Sequence, residues 1–110
     1  MYDEGVERPL PIPLDHARLA EFCRRWQVAE FSLFGSAVSG RFRADSDVDV
    51  LVTFAPGARP TLFTLVSMQE ELEGLFGRRV DLAERDSVER SHNDVRRRAI
   101  LDTRRVLYAA

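Results

Sequence analysis

Residues 48–54, Val-Asp-Val-Leu-Val-Thr-Phe, constrain this chain more than any other stretch. At the two-residue period of a strand, Val48, Val50, Val52 and Phe54 share one face, while Asp47, Asp49, Leu51 and Thr53 share the other. A wholly apolar face has to lie against a hydrophobic layer, and a chain of 110 residues is long enough for one such core. The same alternation makes Asp47 and Asp49 point together, away from the packed face. Two carboxylates so close repel, and both stay ionised only where a cation or strong donors compensate. Magnesium suits oxygen ligands of this kind, because it is held by a few carboxylates together with substrate phosphates and water.

The flanking sequence supplies the layer. Pro9, Pro11 and Pro13 alternate in residues 1–13, which read as an extended, frayed lead-in to a single domain over residues 14–110. Asp15 is placed as an N-cap, with Leu14 and Leu19 as a hydrophobic staple, and Leu19, Phe22, Cys23 and Trp26 follow at helical spacing. Val28–Phe34 is a β-favouring run that stops at Gly35-Ser36, and residues 36–44 read as a short helix or turn ending near Gly40. Thr61–Phe76 is a second amphipathic helix. Its expected inward face is Leu62, Leu65, Val66, Leu72, Leu75 and Phe76, its outward face Glu70, Glu71 and Glu73, and Gly77 its C′ residue. Arg79–Ala83 is a short strand, Asp86-x-x-Glu89 has the form of a capping box, residues 93–101 have helical character, and Val106–Tyr108 reads as a last strand. This order implies an α/β (α+β) fold: a small mixed sheet with helices packed on one face.

Bulk properties narrow the function classes. The net charge of −2 argues against a dedicated nucleic-acid binder. Every basic side chain is arginine, and Arg90, Arg96, Arg97, Arg98, Arg104 and Arg105 face only Asp94 and Asp102 locally, a solvated helix face or a surface for an acidic partner. One cysteine, Cys23, allows no intrachain disulfide and fits a reducing compartment. No run approaches the ~20 apolar residues that span a bilayer, and residues 1–5 lack the pattern of a secretory signal. Cytoplasm is the expected location. His16 and His92 stand 76 positions apart, with no second ligand type beside either, so neither reads as a metal ligand.

Two further features join the aspartate pair. Asp81 lies between Val80 and Leu82 on its strand, so it projects from the opposite face to both. If this strand neighbours 48–54, three carboxylates meet on one patch, as a two-metal site for phosphoryl or nucleotidyl transfer requires, with its ions ~3.5–4 Å apart. Gly35-Ser36 ends one strand and begins a short helix, where glycine lets a phosphate approach the backbone and the serine hydroxyl adds a hydrogen bond. Singly these are ordinary turns and strand ends; it is their conjunction that points to chemistry.

The run Leu33–Val52, with Gly35-Ser36, ten residues, then Asp47-x-Asp49 preceded by Ser46, resembles the signature of the minimal nucleotidyltransferases, a branch of the DNA polymerase β-like superfamily. Val80-Asp81-Leu82 resembles the setting of that family's third carboxylate. The resemblance spans residues 14–84 well and the C-terminal quarter loosely. It implies the polymerase β-like nucleotidyltransferase fold, ATP as substrate and two Mg2+ ions. It implies nucleotide contacts from Gly35, Ser36 and Ser46, metal ligation by Asp47, Asp49 and Asp81, and activation of the incoming hydroxyl by Asp81. Members of this kind resemble antitoxins that silence a HEPN ribonuclease toxin by transferring AMP to a toxin tyrosine, so a HEPN-type partner and a hetero-oligomer with it are expected. No membrane partner and no strong nucleic-acid binding are expected. The sequence departs from the family at Ser39, where arginine is common; Arg41 and Arg43 are the neighbouring cations. Two alternatives stay open beside AMP transfer. One is a nucleotide-binding module that neutralises a toxin by contact alone, and the other is a small-molecule (antibiotic) nucleotidyltransferase.

Overall fold

The computed structural model describes residues 10–110. The expected lead-in therefore falls mostly outside the described residues, but its last part is packed: Ile12 is buried in the main core, with Leu10 and Leu14 against it. The first helix, α1 (His16–Arg25), begins where the Asp15 carboxylate accepts the Arg18 N–H at 3.2 Å. It buries Leu19, Phe22 and Cys23, and burial pushes the Cys23 thiol up to about 12, so it packs as an uncharged group. Strand β1 (Val28–Phe34) runs into a one-turn helix, α2 (Ser36–Ser39), closed by Gly40 in the left-handed region. Strand β2 (Val48–Phe54) follows, then helix α3 (Leu62–Phe76). Thr61 and Thr64 cap α3 reciprocally, Thr64 N–H to Thr61 Oγ1 at 3.2 Å and Thr61 N–H to Thr64 Oγ1 at 3.1 Å. Strand β3 (Val80–Glu84), helices α4 (Arg85–Glu89) and α5 (Asp94–Thr103), and strand β4 (Arg105–Ala109) complete the order.

The four strands form one mixed sheet in the order β3-β2-β1-β4. β1 is antiparallel to β2 and to β4, and β2 is parallel to β3, with α3 making the crossover that a parallel pair needs. The main core lies on one face, where α1 and α3 cover Phe31, Leu33, Val48, Val50, Val52 and Val80. Phe22 meets Phe31 edge to face, with ring centroids 6.1 Å apart. This is the expected fold class, but the expectation of helices on one face alone does not hold, because α4 and α5 cover the other. The far face is not left bare: Phe34 and Leu51 pack with Val88 of α4 and Ile100 of α5 in a second, smaller cluster. Leu51, on the aspartate face, is only 2% exposed for this reason. Among the described residues no helix is long and apolar enough to cross a membrane.

Two local expectations change. Met68, Leu72 and Phe76 are the buried residues of α3, whereas Leu62 and Val66 are exposed, as is Phe63. At ~100° per residue, Val66 lies about 160° round the helix from Met68, so it cannot share the stripe that packs on the sheet. Glu71 and Glu73 are also engaged: the two Glu71 oxygens accept from Arg25 at 2.7 and 2.6 Å, Trp26 Nε1 donates to Glu71 at 2.9 Å, and Glu73 accepts the Val80 N–H at 3.1 Å. The second change is at α4, which starts one residue before Asp86, has Glu84 at its N-cap and has no side-chain cap bond. Asp86 is instead an acidic residue of the first turn, favourable to the helix dipole.

Glu30 on β1 ties the second layer to the sheet. It receives Arg85 of α4 at 3.2 Å and Arg104, the C-cap of α5, at 3.6 Å, all three side chains being less than a third exposed. Glu30→Ala leaves two sheltered guanidinium groups short of a partner, and we expect it to cost about 2 kcal/mol in urea unfolding; an unchanged midpoint would show that the triad does not hold α5. Glu71 behaves differently with pH. The Arg25 hydrogen bonds hold its carboxyl below the ordinary value, so its contribution is present above the unfolded value near ~4.3 and is lost as pH falls through the folded one. Glu71→Gln is therefore expected to lower the thermal midpoint at pH 7 and to match the native chain at strongly acid pH, as measured by circular dichroism melts.

Candidate active site

The parallel register puts Asp49 directly beside Asp81, and Val48 beside Val80. Adjacent strands lie about 4.8 Å apart, so two carboxylates on one face at one level are held close whatever their rotamers. The antiparallel register on the other side pairs Asp49 with Phe34, the residue before Gly35. Gly35 adopts φ +71°, and a Cβ built on it would fall 2.2 Å from Asp49 Oδ2. The backbone conformation disfavours any side chain there, and one added would have to displace the Asp49 carboxylate. The Asp49 carboxylate thus rests against the β1–α2 turn, where the N–H groups of Val38 and Ser39 bond back to the Gly35 carbonyl at 3.1 and 3.0 Å.

Asp49 is half-buried, and its carboxyl is held above the ordinary carboxylate range, first by that burial and then by the charges of Asp81 and Asp47. Arg96 of α5 opposes this with positive charge. Asp47 stands just before the first residue of β2, exposed, with its Oδ1 3.8 Å from Arg79 Nε. Arg79 thus pairs with the first carboxylate of the motif. Among the described residues no three acidic, histidine or cysteine side chains close into a ready metal cage. The aspartates form an open rim instead, because ladder pairing constrains Asp49 and Asp81 while Asp47 lies outside it. An open rim of oxygen donors beside a side-chain-free turn fits magnesium, which shares its shell with phosphate and water rather than requiring a protein cage.

Ser36 opens α2 beside Gly35, and both border a cavity of about 620 Å³ below α5. Ser46 is part of the loop that delivers Asp47: its hydroxyl accepts the Arg43 N–H at 2.8 Å. Arg78 closes the same loop, donating to the carbonyls of Arg43 and Ser46 at 3.1 Å each and stacking 4.5 Å over the Phe42 ring. Ser39 donates to the Ser36 carbonyl at 3.5 Å. In the sequence Arg78 stands only beside the strand that carries Asp81, and Arg96 only as one of an arginine-rich run. Spacing carries no signal for either contact, since both depend on how distant elements cross the sheet.

A rim of aspartates set against a glycine-serine turn on a four-stranded mixed sheet is the construction of a nucleotidyltransferase, and the sequence profile described as "Nucleotidyltransferase domain" matches residues 18–107. The chain belongs to that family. It is a homologue of the protein adenylyltransferase MntA of Thermococcus cleftensis, at 42% identity over 72 residues that cover 66% of this chain and 71% of that one. Its fold is shared with a chain of a toxin–antitoxin crystal structure with AMP-PNP (TM-score 0.67, 19% identity, 88% of this chain and 75% of that chain covered). It is also shared with a chain of a structure described as a tri-AMPylated Shewanella oneidensis HEPN toxin in complex with MNT antitoxin (TM-score 0.58, 16% identity, 86% and 70% covered).

Two measurements probe this geometry. Gly35→Ala meets both an unfavourable φ and the Asp49 carboxylate, and is expected to destabilise by more than ~2 kcal/mol in denaturant unfolding; a smaller loss would mean that the turn relaxes freely. Asp49→Asn is expected to do the reverse in metal-free buffer. A raised folded value means that ionised Asp49 weakens the fold at neutral pH, a penalty absent below the unfolded value near ~3.9. The asparagine variant should thus melt higher than the native chain at pH 7, the difference vanishing toward pH 3.

Proposed function

We propose that this chain is a Mg2+-dependent protein adenylyltransferase that moves AMP from ATP to a tyrosine hydroxyl of a HEPN-type ribonuclease toxin and so acts as its antitoxin. The observation that carries the reading is Asp49 abreast of Asp81, pressed against the Gly35 turn. The homologous protein adenylyltransferase supports the transferred group, and the tri-AMPylated toxin in a complex of the same fold supports the acceptor class.

In this scheme Gly35 and Ser36 bind the triphosphate, with Ser46 at the edge of the site. Asp47, Asp49 and Asp81 would hold two Mg2+ ions, which neutralise phosphate charge and favour in-line displacement. The acceptor oxygen forms a bond to the α-phosphorus of ATP while the bond from that phosphorus to the bridging oxygen breaks. Pyrophosphate leaves, AMP stays on the acceptor as a phosphodiester, and the hydroxyl proton passes to the Asp81 carboxylate. Asp81 suits the last role because it is exposed at the edge strand, where an acceptor arriving on another molecule can reach it. Residues 14–110 act as the one catalytic domain, and the reading puts the protein in the cytoplasm, in a hetero-oligomer with its toxin through the arginine-rich C-terminal segment.

The test is incubation with labelled ATP, Mg2+ and the product of the neighbouring gene. Label is expected on a toxin tyrosine, and Asp47→Asn should lower the rate at least a hundredfold. Absence of transfer, or transfer that survives Asp47→Asn, overturns the proposal. Ser39 motivates a second reading, neutralisation by contact alone, because position 39 offers a hydroxyl bonded back to Ser36 and no cation. That reading is supported instead if Asp47→Asn and Asp81→Asn leave toxin neutralisation in cells intact.

A further inference from the structure

The cavity beside the glycine-serine turn is walled by Val38 of α2 and Ile100 of α5, floored by Gly35 and Ser36, and edged by Arg41 and Arg96. Its cations differ from most of those nearby. Arg78, Arg79, Arg85, Arg97 and Arg104 are each occupied by carbonyls or carboxylates of the chain. Arg41 and Arg96 have no side-chain hydrogen bond or ion pair among the described residues, and both are exposed. Arg96 is nonetheless held in place. It sits in the first turn of α5, its N–H bonded to the Asn93 side chain at 3.0 Å, and the far end of the helix is fastened to Glu30 through Arg104. Its charge is felt at Asp49, so it lies within electrostatic reach of the aspartate rim.

Two unspent guanidinium groups at the mouth of a cavity with an apolar wall form a receptor for a multiply charged anion. Arginine forks match phosphate oxygens in pairs, and a low-dielectric wall strengthens their field. From this arrangement we infer that Arg96, with Arg41 opposite, is a positioning residue for the β- and γ-phosphates of the nucleotide, so that α5 is part of the nucleotide site. The inference rests on the nucleotide reading above. Arginine supplied from residue 96 on α5, across the cavity from α2, does what Ser39, with no charge, cannot do from within α2.

Binding of ATP, AMP and inorganic tripolyphosphate to the full chain, with Mg2+, is measured by isothermal calorimetry, and AMP transfer is followed for KM and kcat. Arg96→Ala is expected to weaken ATP and tripolyphosphate at least tenfold and to leave AMP within about twofold, since AMP lacks the phosphates that Arg96 holds. KM for ATP should rise by a similar factor with kcat little changed, and Arg96→Lys should recover part of the loss. Arg24→Ala, on α1 across the sheet, serves as a control for lost charge and should match the native chain. Native-like ATP affinity in Arg96→Ala overturns the inference while leaving the nucleotide reading intact. An equal loss for AMP and ATP also overturns it, by placing Arg96 against the nucleoside. A native chain that binds neither ATP nor tripolyphosphate overturns both readings together.

Discussion

The contact between the Gly35 backbone and the Asp49 carboxylate is the constraint around which the site is arranged. A side chain at residue 35 would lie 2.2 Å from Asp49 Oδ2, and the backbone there has φ +71°. Only glycine meets both conditions without strain. The consequence reaches both ways along the chain. β1 can end against β2 at the level of Asp49, α2 can turn immediately after it, and the carboxylate is sheltered enough for its ionised form to be disfavoured. A group so placed weakens the empty fold at neutral pH and gains when a cation compensates it. In the proposed reaction that loss of stability is the counterpart of a place where a metal and a phosphate meet.

The arginines divide into those that build the fold and those left over. Arg85 and Arg104 meet on Glu30 and fasten α4 and α5 to the sheet, Arg78 clips the loop before Asp47, and Arg25 grips Glu71 between α1 and α3. Arg41 and Arg96 remain beside the glycine-serine turn, so the structural pairs fix the helix that carries one of the unpaired cations. A net charge of −2 hides this, since it averages over a surface on which position decides everything.

Much of the fold was legible because it is written in local periods. The Asp15 cap, the α1 stripe, all four strands, and the glycines that end α2 and α3 fall where propensity and spacing put them. Where the reading slipped, two local signals competed. Leu62 and Val66 are apolar and helical but off the stripe set by Met68, Leu72 and Phe76, and only the sheet beneath α3 selects which stripe is used. Asp86 and Glu89 have the spacing of a capping box, yet β3 runs directly into α4 and leaves no residue free to turn outward as that cap. The second layer over Leu51 was not legible, because α5 buries only Ile100 fully and reads as a polar helix by itself.

The amino-acid sequence alone makes Asp47 and Asp49 point one way and Val48, Val50 and Val52 the other, because strand alternation leaves no choice within a chain segment. It also determined that the turn at residue 35 could be as tight as it is. Tertiary packing sets Asp81 level with Asp49, since a one-residue slip of the parallel pair would turn Asp81 to the other face and Val80 out of the core. It likewise decided that Arg96 reaches the site from 47 positions beyond Asp49. Such contacts follow from the crossing of packed layers, whose geometry is set by the core as a whole and by no local run of residues.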